Sequence, residues 1–267
     1  MRFLALTLGL WCSQLCGQPW GPLLENSLQE WKVWTCSPHK SIHDRPAGVI
    51  ASDDGESCQS VGIGDPFSIF SFIKGEDGSS VLKVYGQVFG ALTSNASYEN
   101  YHFSTQVKWG EKQWAPNHKN ARNSGVLYHC YDPHGFFWNA FMASLQVKYK
   151  EGAESGLIQL GGPYSLVKVD TDGAWSPEGE VMRKDRNVPG KDPSGLVKEG
   201  WNQIDLYAFG DRAIHMLNGV TLLEVESSYT AEGEPLCSGK IQIQSEGAGV
   251  SFKNMSICPL EEMPASL

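Results

Sequence analysis

The sequence predicts an all-β protein, an antiparallel β-sandwich or jelly roll, on three observations. Apolar and polar residues alternate with a period of two over 101–109, 143–150 and 239–246, which marks strands with one buried and one polar face. Short turns bearing Gly, Asn or Asp separate apolar-rich runs in the last third of the chain, as antiparallel hairpins require. No long helical period appears; residues 22–31 come nearest to one.

In chain order, the first segment is MRFLALTLGLW followed by CSQLCGQP: one Arg, a short apolar run, then a small polar stretch. That is the pattern of a secretory signal peptide, predicted over residues 1–17, with a secreted or periplasmic destination. The run is too short to span a bilayer, and no transmembrane helix is expected. Cys12 and Cys16 follow the bulky Trp11 and Leu15, where a lipoprotein site wants small residues, so lipidation is disfavoured. Five cysteines remain after cleavage: Cys36, Cys58, Cys130, Cys237 and Cys258. Their separation fits no CxxC metal pattern, and pairs such as Cys36–Cys58 or Cys237–Cys258 are open to an oxidising compartment, although the connectivity is not readable from the sequence.

Residues 25–260 are predicted to form one β-sandwich domain. With 41% apolar and 19% charged residues, the chain has material for a large core and does not read as disordered. The formal net charge is −9 and the Lys and Arg residues are scattered, which argues against nucleic acid as a partner. In 101–109, Tyr101, Phe103, Val107 and Trp109 oppose His102, Ser104, Gln106 and Lys108. In 143–150, Leu145, Val147 and Tyr149 should face the core, with Ser144, Gln146, Lys148 and Lys150 on the polar side. In 239–246, Ile241 and Ile243 oppose Gln242, Gln244 and Glu246. Turns are expected at Gly210-Asp211, Asn218-Gly219 and Gly247-Ala248-Gly249. Residues 163–200, rich in Pro, Gly, Asp and Lys, read as a long loop bordering the site.

Chemistry-bearing residues are densest in 109–138, which holds Glu111, Arg122, His129 and His134 among Trp109, Trp114, Phe136 and Trp138. Aromatic rings offer flat apolar faces to the C–H faces of sugars while amide and basic side chains satisfy hydroxyls, so the mixture suits a carbohydrate cleft. His129 is a candidate general acid or base, or a metal ligand, and is expected to converge with Gln146 and Lys148 if strand 125–130 runs beside 143–150. There is no GxSxG elbow, HExxH motif or glycine-rich phosphate loop, which argues against serine hydrolases, zinc peptidases and nucleotide enzymes. Nor is there an obvious paired-carboxylate motif of the kind ordinary glycosidases use.

The segments ENYHFSTQVKWGEKQWAP, RNSGVLYHC, SLQVKYKEG with LGG, GWNQIDLY, AIHMLNGV and GKIQIQSEGAGVSFKNMSI together resemble the bacterial 3-keto-disaccharide hydrolase family. The resemblance covers roughly residues 30–260. It implies a concanavalin-like jelly roll, extracytoplasmic action on sugars and a 3-keto-glycoside ligand. A ketone at C3 acidifies the hydrogen at C2, so one base and one enolate stabiliser suffice to expel the group at C1. Mapped onto this chain, the resemblance implies His129, Glu111 and Arg122 as catalytic residues. Lys108, Trp109, Trp138, Gln146, Lys148, Gln244 and Glu246 are the substrate-binding candidates.

Where many relatives resemble SLEVQIQEGDTGDFW, this chain reads SLQVKYKEGAESGLI, so Gln146, Ala153 and Gly156 stand in place of carboxylates and Lys148 in place of Gln. Hard cations want carboxylate oxygens, so these changes count against a divalent cation as cofactor; Lys148 offers positive charge instead. Restoring Glu at 146 is expected to raise turnover or to create metal dependence, the more so with Lys148→Gln. A non-catalytic carbohydrate-binding module on the same fold is the alternative.

Overall fold

The computed structural model describes residues 19–24, 27–57, 59–152, 155–190 and 195–264. The predicted signal segment 1–17, Cys58 and Ala153 lie outside the described residues. The strands of the first half are β1 (Gly21–Pro22), β2 (Trp31–Thr35), β3 (Gly62–Ile63), β4 (Phe70–Lys74), β5 (Ser80–Val84), β6 (Gly90–Ser94), β7 (Tyr98–Glu99), β8 (Tyr101–Gln113), β9 (Asn123–Tyr131) and β10 (Ala143–Lys150). Those of the second half are β11 (Gly156–Leu160), β12 (Tyr164–Val169), β13 (Glu180–Lys184), β14 (Asn187–Pro189), β15 (Asn202–Phe209), β16 (Arg212–Leu217), β17 (Val220–Val225), β18 (Ser227–Tyr229), β19 (Ser238–Ser245) and β20 (Ala248–Pro259). No helix among the described residues is long and apolar enough to cross a membrane.

The strands form an antiparallel jelly-roll sandwich of the concanavalin-like kind. One sheet, the back sheet, runs β17-β16-β15-β8-β20-β5-β4, with β1 pairing β20. The front sheet runs β14-β11-β10-β9-β19-β6-β2-β3, with β7 on β19, and a small third sheet runs β13-β12-β18. The two-residue alternation decides which side chains enter the space between the sheets. Phe103, Val107 and Phe252 of the back sheet meet Val126, Tyr128, Leu145, Val147, Tyr149, Ile241 and Ile243 of the front sheet in one core. Full burial of a large apolar side chain contributes about 1.5–3 kcal/mol, so a one-residue slip of any of these strands would expose a whole row and is strongly disfavoured. The register therefore holds Ser144, Gln146 and Lys148 on the outer face of the front sheet, as the alternation predicts.

Two of the three predicted turns form hairpins; the third, at Gly247, instead carries the chain from β19 of the front sheet to β20 of the back sheet, with Ala248 and Gly249 already in β20. Gly210 (φ 56°) joins β15 to β16, while Asn218 (φ 52°) and Gly219 (φ 79°) join β16 to β17; two successive left-handed residues match a two-residue turn between twisted strands.

One expectation is corrected and two open possibilities are closed. Residues 163–200 are not one long loop: Lys168, Val167 and Leu166 pair with Val181, Met182 and Arg183, which makes β12 and β13 a hairpin of the small sheet. Residues 22–31 hold no helix among those described. Cys237 is a free thiol, so the Cys237–Cys258 bridge is not formed.

Candidate functional site

The outer face of the front sheet is divided. Over one half, residues 132–142 fold back so that Phe141, Met142 and Ala140 pack on Leu127, Cys130 and Leu160, with Phe137 alongside. The other half is left open as a groove. Its larger part, about 410 Å³, is walled by Asn117, Asn120 and Arg122 and reaches Lys148 and Glu246. Its smaller part, about 150 Å³, lies beneath Trp138 and reaches Gln146, Gln244 and Asn187. Asn123, Ile158 and Glu246 border both parts, which makes them one groove.

A row of hydrogen bonds crosses the floor. Gln146 on β10 donates through Nε2 to Oε1 of Gln244 on β19 at 2.6 Å. Gln244 donates in turn through Nε2 to Glu246 Oε2, which also accepts from Asn123 Nδ2 at 3.1 Å. Strand β9 lies between β10 and β19, so Gln146 has to pass over it. Gly125 permits this: a Cβ there would come within 2.4 Å of Gln146 Nε2 and 2.6 Å of the Val147 carbonyl oxygen. The glycine of RNSG is thus required by a close approach, with no unusual φ involved.

Glu246 stands where the two parts of the groove meet. Its carboxyl is pushed up to about 7, first by loss of solvent, with the charge of Glu56 acting the same way, and against the hydrogen bond from Asn123 and the nearby charges of Lys148 and Lys150. A carboxyl held near neutrality exchanges a proton at physiological pH, which is what general acid–base work needs. Lys148, 6% exposed, donates through Nζ to Asn187 Oδ1 at 3.0 Å. Arg122 lines the groove but its guanidinium is anchored, donating to Glu151 Oε1 at 2.7 Å and Oε2 at 3.1 Å and to the Gly110 carbonyl at 2.9 Å. Trp138, 43% exposed, stacks on Phe137 at 4.6 Å and presents an indole at the rim.

Six of the ten predicted site residues therefore share the groove: Arg122, Trp138, Gln146, Lys148, Gln244 and Glu246. Lys108, Trp109 and Glu111 do not. They sit on β8 in the back sheet and border a different cleft.

His129 does not line the groove either, and the reason is a β-bulge. Lys240 pairs with Cys130 and Gln242 with Leu127, so β9 carries an extra residue there, and His129 takes φ 48°. The change of phase turns its ring inward. It is 1% exposed, with edge contacts to Tyr101 and Tyr128 at centroid distances of 6.1 and 5.1 Å. Nδ1 lies 3.1 Å from the Leu236 carbonyl, an acceptor only, so Nδ1 carries the proton. Burial lowers its pKa to about 4. His129 and Gln146 thus face opposite sides of the same sheet, which corrects the expectation that they converge. Asn tolerates left-handed backbone, so His129→Asn is expected to cost about 1–2 kcal/mol of stability while leaving turnover within about twofold; thermal melting and initial rates check both.

The sequence reading missed Asn123, Asn187, Asn117 and Asn120, the amides that ring the groove. Asn123 was within reach, since it opens the RNSG segment. Asn187 was hidden by reading 163–200 as loop.

The donor set does not fit a divalent cation. Among the described residues no group of three or more His, Cys, Asp or Glu is placed to hold a metal. Among the described residues the groove's one lining carboxylate already accepts two hydrogen bonds at Oε2, and two lysines lie within electrostatic reach of it. A hard cation wants several carboxylate oxygens and no ammonium beside them.

A jelly roll with an amide-ringed groove, an aromatic rim and one near-neutral carboxyl has the features of a carbohydrate-active protein. The chain belongs to the family of 3-keto-alpha-glucoside-1,2-lyase-like domains, whose model matches residues 19–258. Among solved structures it is similar to a candidate glycosyl hydrolase from Parabacteroides distasonis, with 17% identity over 72% of this chain and 91% of that one and a TM-score of 0.44. It is also similar to the carbohydrate-binding module CBM66 from Bacillus subtilis, with 9% identity over 71% of this chain and 91% of that one and a TM-score of 0.42. No curated protein matches it.

Proposed function

We propose that this protein is an exported enzyme that cleaves 3-keto-glycosides by elimination across C1 and C2, with Glu246 moving the proton. The observation that carries the reading is the carboxyl of Glu246, held near neutrality in an amide-lined groove. Export rests on the pattern of residues 1–17.

The chemistry needs one base because the C3 ketone acidifies the C2 hydrogen. The Glu246 carboxylate takes that proton, and the C2–H electrons form the enolate. The enolate collapses, the C1–O bond breaks, and its electrons leave on the aglycone oxygen, which takes up a proton from Glu246 or from water. Adding water across the unsaturated product, oxygen to C1 and hydrogen to C2, gives the 3-keto sugar. The ammonium of Lys148 supplies charge that favours the enolate, and its bond to Asn187 holds it in place. Trp138 offers the ring face of the sugar a stacking partner.

The test is purified protein with a 3-keto-glycoside carrying a chromogenic aglycone. Release above buffer is expected; none, with or without added divalent metal, would sink the reading. Trp138→Ala is expected to raise KM about 3- to 10-fold with little change in kcat, because stacking of this kind contributes on the order of 0.5–1.5 kcal/mol to ground and transition states alike. One observation favours a second reading, a non-catalytic binding module: amides at 146 and 244 occupy most of the polar floor. Glycan binding in a titration without any product would establish that reading in its place.

A further inference from the structure

On the far side of the sandwich from Glu246, the outer face of the back sheet carries a cleft of about 440 Å³ that the catalytic reading does not use. Three strands build it side by side. Ser251 of β20 pairs with Lys83 of β5 on one flank and with Lys108 of β8 on the other, so two ammonium-bearing side chains flank one small residue. Beyond them, Gly249 and Gly110 continue the centre line. A Cβ at Gly110 would come within 3.0 Å of the Gly249 carbonyl oxygen, so the chains approach too closely there for side chains and a trough results.

Aromatic residues wall the trough and fix two of its lysines. Trp114 reaches across to the residue after β5 and donates through Nε1 to the Tyr85 carbonyl at 3.0 Å, which closes one end. Lys83 Nζ lies 4.9 Å from the centre of the Tyr85 ring and Lys112 Nζ 5.8 Å from that of Trp114. Cation–π contacts of this kind hold an ammonium in place without neutralising it. None of Lys83, Lys108 and Lys112 has an ion-pair partner among the described residues. Among the described lining residues only Glu111 opposes them. The trough is thus a positive spot on a chain of net charge −9. Three ammonium groups against one carboxylate, two of them held by rings in a concave site, make an arrangement suited to an anion. The trough's volume and its aromatic walls suit a chain with flat apolar faces rather than a point ion.

We propose that this trough is a second saccharide-binding site, specific for acidic sugar chains that carry carboxylates or sulfates, and independent of the catalytic groove. It would hold the protein on an anionic glycan while the groove works on another ligand.

The experiment is titration calorimetry of the whole protein with three probes at low salt: an oligogalacturonate, a neutral oligosaccharide of the same length, and inorganic sulfate. The acidic oligosaccharide is expected to bind at least tenfold more tightly than the neutral one, and more weakly as salt rises. The double variant Lys83→Gln with Lys112→Gln is expected to weaken that binding about tenfold, and Trp114→Phe, which keeps an aromatic wall but removes the N–H that closes the trough, about threefold. Far-ultraviolet circular dichroism confirms that each variant is folded. Glu246→Gln is expected to leave acidic-glycan binding unchanged, so failure of the catalytic reading would not touch this one. Equal affinity for neutral and acidic chains, affinity for sulfate alone, or binding that survives loss of both lysines would each overturn the proposal.

Discussion

Glu246→Gln is expected to lower turnover of a 3-keto-glycoside by about 100- to 10,000-fold, the usual contribution of a positioned acid or base. Glutamine keeps the size and can still accept from Asn123 or Gln244, so the groove should persist and substrate should still bind; what is lost is the ability to take a proton. A second readout separates this from mere structural damage. In the folded protein the carboxyl sits at about 7, against 4.5 in a model compound. A raised pKa means that the folded state holds the proton more tightly. The stabilisation this gives is fully present below pH 4.5 and is lost as pH rises through 7. Glutamine never ionises, so the variant escapes that loss. Its melting temperature should match the parent's near pH 4.5 and exceed it increasingly up to pH 8. An active Glu246→Gln protein, or one whose stability tracks the parent's at every pH, would remove Glu246 from the base role.

The same residue shows what the sequence conveyed and what it concealed. Two-residue alternation was enough to place Gln244 and Glu246 on a polar face away from Ile241 and Ile243, because the hydrophobic core enforces register along a regular strand. It sufficed equally for Gln146 and Lys148. It could not distinguish Glu246 from its neighbours in role, since the raised pKa arises from loss of solvent in a groove whose walls come from residues distant in sequence. For His129, alternation actively misled. The bulge inserts one residue between Leu127 and Cys130, and a period-two argument has no means of detecting a change of phase. Lys108, Trp109 and Glu111 failed for another reason. They are adjacent in sequence to the groove's Gln113, yet they line a cleft on the back sheet, and sequence proximity to the aromatic cluster does not reveal which sheet a strand joins.

The groove's geometry also reverses the expectation for Gln146→Glu. In the sequence, position 146 looks like a lost carboxylate whose return should help. In the structure its amide N–H is the donor that satisfies Gln244 Oε1, and Gln244 in turn donates to Glu246. A carboxylate at 146 would set acceptor against acceptor at 2.6 Å. Only two arrangements avoid this. Either the new carboxyl keeps its proton and donates as Gln146 does, or the Gln244 amide flips to donate to it and turns its oxygen on Glu246, which must then be protonated. Both trap a proton in the row, shared between two carboxyls that titrate as one unit. In the second arrangement the base is neutral at pH 7. Turnover is therefore expected to fall at least tenfold, with no gain from added divalent metal. The trapped proton also fixes the sign of the stability change. The folded pKa of the pair lies above the unfolded value, so the variant should match the parent below about pH 4 and lose on the order of 1–3 kcal/mol as pH rises through neutrality, the cost of an unsatisfied buried polar contact. Adding Lys148→Gln removes a cation that favours the ionised forms and should deepen both losses. Denaturant melts at pH 5 and pH 8 with parallel rate measurements decide the matter: a single or double variant more active than the parent would show that the row does not set the proton on Glu246.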